Sequence, residues 1–171
     1  MSDDPWKTAE PLIVEWLNRA TTSRKIHGFA ARRFRALNLW LGVPAVILST
    51  VVGTTVFATL EKQVELGWRL AVGAISIAAA VLTSLQTFLR FGERAEQHRL
   101  AASKYSAVRR QMEQILALPA GSRGDPKALL EELRNRLDAL AIEVPPVIRP
   151  ASFPVPAKVA EPDVNRVQTR V

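Results

Sequence analysis

The sequence predicts an all-α integral membrane protein: a two-helix hairpin with a cytoplasmic helical stalk, assembled as an oligomer. Three observations predict it. Two uncharged apolar stretches, 36–60 and 70–89, lie nine residues apart. The 23 Lys and Arg and 16 Asp and Glu are almost wholly excluded from the interval 36–89, where only Glu61, Lys62, Glu65 and Arg69 occur, all in the connector. Beyond the second stretch, apolar residues recur at heptad spacing, which asks for a partner helix.

Residues 1–35 form the first element, a cytoplasmic amphipathic helix. Asp4 followed by Pro5 is an N-cap with proline in the first turn. Ile13, Trp16, Ala20, Ser23, His27, Ala30, Phe34 and Leu37 then recur three and four apart, giving one stripe that runs toward the first apolar stretch. Thr21, Thr22, Ser23 and Gly28 are poor helix formers, so a break is expected midway. Arg19, Arg24, Lys25, Arg32, Arg33 and Arg35 follow one another with no acid among them.

The first span, 36–60, is about 37 Å long as a helix and the second, 70–89, about 30 Å, against a hydrocarbon core of about 30 Å. Helices buried in a soluble bundle normally carry charge on an outward face, and these carry none. Gly42 and Pro44 predict a kink near the cytoplasmic end of the first span. Ser49 and Gly53 form a small-xxx-small pair suited to close contact with the second span or with a neighbouring subunit. Trp40 and Trp68 sit near opposite ends of the apolar zone, where indoles favour the interface and fix its depth. The connector, 61–69, is neutral overall and is expected outside the cytoplasm. Arginine-rich flanks on both sides of the hairpin, with Arg90, Arg94, Arg99, Lys104, Arg109 and Arg110 after the second span, place both termini in the cytoplasm.

Within the second span, Gly73, Ser76, Ala80, Thr83 and Thr87 share a face that continues to Arg90 and Arg94. This face supports two readings. Small residues let helices approach closely in lipid and hydroxyls bond their own backbone, which makes Gly73 and Ala80, with Ser49 and Gly53, packing positions. Alternatively, several copies surround water, lined by Ser76, Thr83, Gln86 and Thr87, with Arg90 and Arg94 ringing the cytoplasmic mouth and favouring anions.

From residue 90 to 118 no strong helix breaker appears, so a continuous extension of the second span about 40 Å long is expected. Its seam is Phe91, His98, Tyr105 and Met112 alternating with Arg94, Ala101, Val108 and Ile115. The natural partner is the N-terminal stripe, antiparallel, which would bring His27 toward His98 and Tyr105; the alternative is a second copy of the chain. Residues 119–124 form a turn, and Asp125 with Pro126 opens a short cytoplasmic helix, 125–143, whose own seam is Leu130, Leu133, Leu137 and Leu140. The segment 144–171 is crowded with proline and is expected to be a disordered tail.

Chemistry-bearing patterns are few. With no cysteine and two histidines, and no phosphate-binding glycine loop, HExxH or serine elbow, the chain offers no catalytic, cofactor-binding or metal site and is not expected to be an enzyme. The net charge of +7 is explained by anionic headgroups next to the spans, so no nucleic-acid partner is needed.

Trp40-Leu-Gly-Val-Pro-Ala-Val-Ile-Leu-Ser-Thr-Val-Val-Gly-Thr-Thr-Val-Phe, the run Ala80 to Leu89, and Glu93-Arg-Ala-Glu-Gln-His-Arg followed by Ala101, Ala102 and Tyr105 together resemble the SLATT domain, a two-transmembrane effector domain associated with SMODS and SLOG. The resemblance covers about Trp16 to Leu118. It implies a bacterial effector of anti-phage or other conflict systems that permeabilises the inner membrane, acting with a nucleotide-signalling or sensor protein encoded nearby. The expectation is therefore a pore-forming or membrane-disrupting homo-oligomer. The alternative is a membrane-anchored scaffold whose stalk recruits or restrains a cytoplasmic partner.

Overall fold

The computed structural model describes residues 5–59 and 65–147. About 91% is helical and no strand occurs among the described residues. Among the described residues four helices follow one another: α1 (Trp6–Thr59), α2 (Leu66–Leu89), α3 (Phe91–Ala117) and α4 (Pro126–Glu143), with a short 3-10 turn, Ala120–Ser122, between the last two. They divide into two units, one made of the chain up to Ala30 and from Gln97 onward, the other of Ala31–Glu96.

The first unit has a core. Trp6, Ala9, Ile13 and Ala20 of α1, Tyr105, Val108, Met112 and Ile115 of α3, and Leu133 and Leu140 of α4 form one buried cluster. All six core-facing positions of the α3 seam from His98 to Ile115 are buried, whereas Arg94, the seam's polar member, is exposed. The α1 stripe meets it in antiparallel register, His27 against His98 at one end and Trp6 beside Arg123 at the other. The stripe starts earlier than its periodicity indicated, at Trp6 and Ala9, and Leu37, its last member, is exposed. The third face is supplied by α4, antiparallel to α3: Lys104 pairs with Glu143, and Gln111 accepts from Arg136 at 2.8 Å.

The expected break between Thr21 and Gly28 is absent, since α1 runs unbroken through that segment. Thr22 donates its hydroxyl to the Asn18 carbonyl at 2.9 Å, and Ile26, His27 and Ala30 are buried just beyond, so packing overrides the weak local propensity. At the other end of the chain, the Asp125 carboxylate accepts from the backbone N–H groups of Lys127 (3.4 Å) and Ala128 (3.0 Å), with Pro126 in the first turn of α4. Asp4, the Leu60 end of the first span, most of the connector (Glu61 and Lys62 included) and the tail from 148 onward lie outside the described residues.

The second unit is built differently. Its apolar windows are only 6% buried within the chain, and among the described residues Ala45 and Ala79 are its two buried ones. Two helices pressed together by small residues, with large apolar side chains outward, form a pair whose solvent is hydrocarbon rather than water. Helix α1 passes through Pro44 unbroken, and α2 begins at Leu66, so the expected loop 61–69 is helical from Leu66 onward. The continuous helix expected across the end of the second span is interrupted. Arg90 adopts φ 48°, ψ 39°, a left-handed conformation that separates α2 from α3, although its N–H still donates to the Gln86 carbonyl at 3.2 Å.

Candidate functional site

The sequence directs attention to two places, the hydroxyl-bearing face of α2 and the histidines of the stalk. On α2 the hydroxyls turn to their own helix: Ser76 donates to the Val72 carbonyl (2.8 Å), Thr83 to Ala79 (2.9 Å) and Thr87 to Thr83 (3.0 Å). A hydroxyl bonded to its own backbone keeps spare acceptor capacity, so this satisfies the group in lipid without preventing it from facing water. Thr83 and Thr87 are exposed on the single chain and Ser76 half-buried.

Gln86 lies elsewhere. Its side-chain amide sits against Gly42 of α1, so close that a Cβ built at Gly42 would stand 2.8 Å from Nε2. The amide is thus half-buried between the two helices of the hairpin and does not share the outward exposure of Thr83 and Thr87. One turn earlier in α1, Asn38 approaches Gly92 in the same manner, with 3.6 Å from Oδ1 to where a Cβ would be, and Phe34 stacks on Phe91 at 6.0 Å. Arg90 pairs with Glu93 at 2.8 Å, and Arg94 is exposed.

Within the hairpin the spans meet at Gly42 and Gln86, and Ala45 and Ala79 are buried, whereas Ser49, Gly53, Gly73 and Ala80 are not buried. Gly53 and Gly73 have open space where a side chain would begin, and Ser49 and Ala80 are exposed. These four small residues are left free by the hairpin's own packing. Periodicity alone could not choose between Gly42 and Gly53, because both lie one turn from another small residue; the signal was Gln86, a polar side chain that needs a partner and room for it. The first span also carries hydroxyls that the reading of α2 left aside: Thr50, Thr54 and Thr55 donate to Val46, Thr50 and Val51.

In the stalk unit, His27 and His98 are both buried and their Nδ1 atoms stand 3.0 Å apart, with Tyr105 stacked on the His27 ring at 5.8 Å. One Nδ1 carries the proton and donates; the other accepts through its lone pair. Burial lowers the pKa of both imidazoles, and for His27 the neighbouring His98 lowers it further. The pair is a neutral hydrogen-bonded joint between α1 and α3. No group of three His, Cys, Asp or Glu side chains converges among the described residues.

Arg123, in the turn after α3, was not anticipated. Its side chain is nearly buried, donating to the carbonyls of Leu118 (2.6 Å) and Leu116 (3.2 Å), pairing with Glu10 and lying 5.1 Å over the Trp6 ring. It caps the end of α3 and fastens it to the start of α1. An arginine between two glycines in a turn gives no hint of this from sequence.

Two apolar helices with their faces outward, joined to a helical stalk, define a membrane protein of the two-span class. The model of the SMODS and SLOG-associating 2TM effector domain family 4 matches residues 10–147, and the chain belongs to this family. Neither a curated protein nor a solved structure matches the chain.

Proposed function

We propose that this protein is the membrane-permeabilising effector of a bacterial anti-phage or conflict system, acting in the inner membrane as a homo-oligomer with both termini in the cytoplasm. The observation that carries the reading is the contrast between a span unit whose described residues include only two buried ones, both alanine, and a stalk that buries its own seams. A single hairpin encloses no water, so a path across the membrane requires several copies, and the small residues of α1 that the hairpin leaves open, Ser49 and Gly53, are suited to bring them together. The stalk seams, satisfied within one chain, do not call for a second copy. In such an assembly Thr83 and Thr87 line the path, Arg94 faces its cytoplasmic mouth, and Gln86 braces the hairpin from inside.

The trigger reaches the spans through the stalk, supplied by a nucleotide-signalling or sensor protein. Induced, triggered expression depolarises cells, and purified protein conducts in planar bilayers with conductance altered by Thr83→Val and with anion preference reduced by Arg94→Gln. Intact membrane potential under fully triggered expression refutes the reading. The ordered three-helix stalk favours one alternative, a membrane-anchored scaffold. Exchange of 36–89 for an unrelated hairpin distinguishes them, preserving activity for a scaffold and abolishing it for a pore.

A further inference from the structure

Among the described residues Arg90 is the one non-glycine residue with positive φ. A left-handed backbone is disfavoured for an L-residue with a Cβ, and here it falls on a helix-forming arginine between two helices. The reason lies in the seams on either side. In α2 the least exposed positions are Val72, Ile75 with Ser76, Ala79, Leu82, Gln86 and Leu89, stepping three and four residues at a time. Carried through Leu89 in an unbroken helix, this repeat would reach Glu93, Glu96, Leu100 and Ser103, all of which are exposed. The seam of α3 instead runs Phe91, His98, Ala101, Tyr105 and Val108.

The two repeats are out of phase by two residues, a rotation of about 200° at about 100° per residue. Within one unit, Gln86 before Arg90 and Phe91 after it nevertheless both rest on α1, Gln86 at Gly42 and Phe91 at Phe34. A continuous α2–α3 helix could turn only one of them toward α1. The left-handed residue resolves the conflict, and contacts on both sides hold it there.

We propose that Arg90 is a two-position hinge at the end of the second span. In its left-handed position Gln86 and Phe91 both face α1; in a right-handed position α2 and α3 fuse into one helix, and one of these two contacts must leave α1. Whatever shifts Phe91 thereby acts on Gln86, and the reverse. This coupling is independent of whether the spans form a pore.

The chain has no cysteine, so Ala74→Cys and Glu96→Cys give a unique spin-label pair flanking Arg90 within one unit, read by double electron–electron resonance in lipid bilayers. A straight helix sets these sites about 33 Å apart, from 22 residues at about 1.5 Å each. The wild type gives a shorter principal distance. Arg90→Gly, which removes the left-handed penalty, lowers the straight fraction about tenfold, and Arg90→Val, whose branched Cβ resists that conformation, raises it about tenfold. Two alanines inserted after Arg90 restore the phase and give a single distance near 36 Å, with no hinge left to move. The inference is overturned by a wild-type distance already near 33 Å, by Gly and Val variants with the same distribution, or by an insertion variant that folds with its shorter distance retained.

Discussion

The stalk and the hairpin are both made of helices with apolar residues three and four apart, yet they treat those residues in opposite ways. In the stalk Ile13, Met112 and Leu133 are fully buried against one another, and the outward positions are charged. In the hairpin Trp40, Phe57 and Phe88 stand about four-fifths exposed, and alanines occupy the centre. A helix in water must hide its large side chains, and the area hidden drives the packing. In lipid that drive vanishes, and close contact between small residues replaces it. One chain therefore carries two definitions of an interior.

Core truncation is the strongest way to break this comparison. Met112→Ala or Leu133→Ala lowers the stability of the stalk by about 2–5 kcal/mol, because each leaves a cavity among three helices. Phe88→Ala removes an even larger side chain and changes intrachain stability by less than about 1 kcal/mol. Denaturation of the detergent-solubilised protein, followed by circular dichroism, measures both; equal losses would erase the distinction. Next in size is Arg123→Ala, which frees Glu10 and the carbonyls of Leu116 and Leu118 at once. It costs about 2–4 kcal/mol, and Arg123→Lys recovers only part of this because an ammonium cannot reproduce the planar fork.

Much of this architecture was legible in the residues. The spacing of His98, Ala101, Tyr105, Val108, Met112 and Ile115 marked a seam because water penalises any other placement of that row. Asp125 with Pro126 marked a helix start because its chemistry is local. Legibility failed where two local signals competed with tertiary packing. Thr21 to Gly28 reads as a weak point, but the buried residues beyond it keep α1 helical. Gly53 reads as a contact, but Gly42 won it because the Gln86 amide needed a place. Arg90 carries no turn signal of its own; the information lay in the phase of the rows on either side, which shows only when both are laid against one helix.

The histidine pair sharpens the comparison through pH. Both folded-state pKa values lie below the ordinary value of 6.5, so below about pH 6.5 the unfolded chain holds more protons than the native one. The stabilisation is complete above that pH and is lost as pH falls toward the depressed values, by up to about 1.4 kcal/mol per pH unit for each histidine. His27→Gln with His98→Gln flattens the slope; stability that is level or rising in acid would remove the neutral pair from the account. A smaller effect comes from Asp125→Ala, which deletes the cap of α4 and costs about 1 kcal/mol, with Asp125→Asn restoring most of it.

The smallest change tests the hairpin on its own terms. At Gly42 a methyl group would meet Gln86 Nε2 at 2.8 Å, too near to keep the present position, but the obstacle is the free end of a flexible side chain. Gly42→Ala therefore displaces the amide rather than the helix, and the loss of that contact is offset by the gain in helix propensity, about 1 kcal/mol for glycine to alanine. The net change is within about 0.5 kcal/mol. Ala45→Leu differs in kind, since its neighbours are helices held at close range, and it separates the spans at a cost of about 1–3 kcal/mol. Stability of the two variants in bilayers, measured side by side, tells whether the spans are held by the glycine–glutamine contact or by the alanines. A large loss at Gly42 would shift the centre of the hairpin from the alanines to the amide, and with it the claim that small residues, rather than a polar bond, join the two helices in lipid.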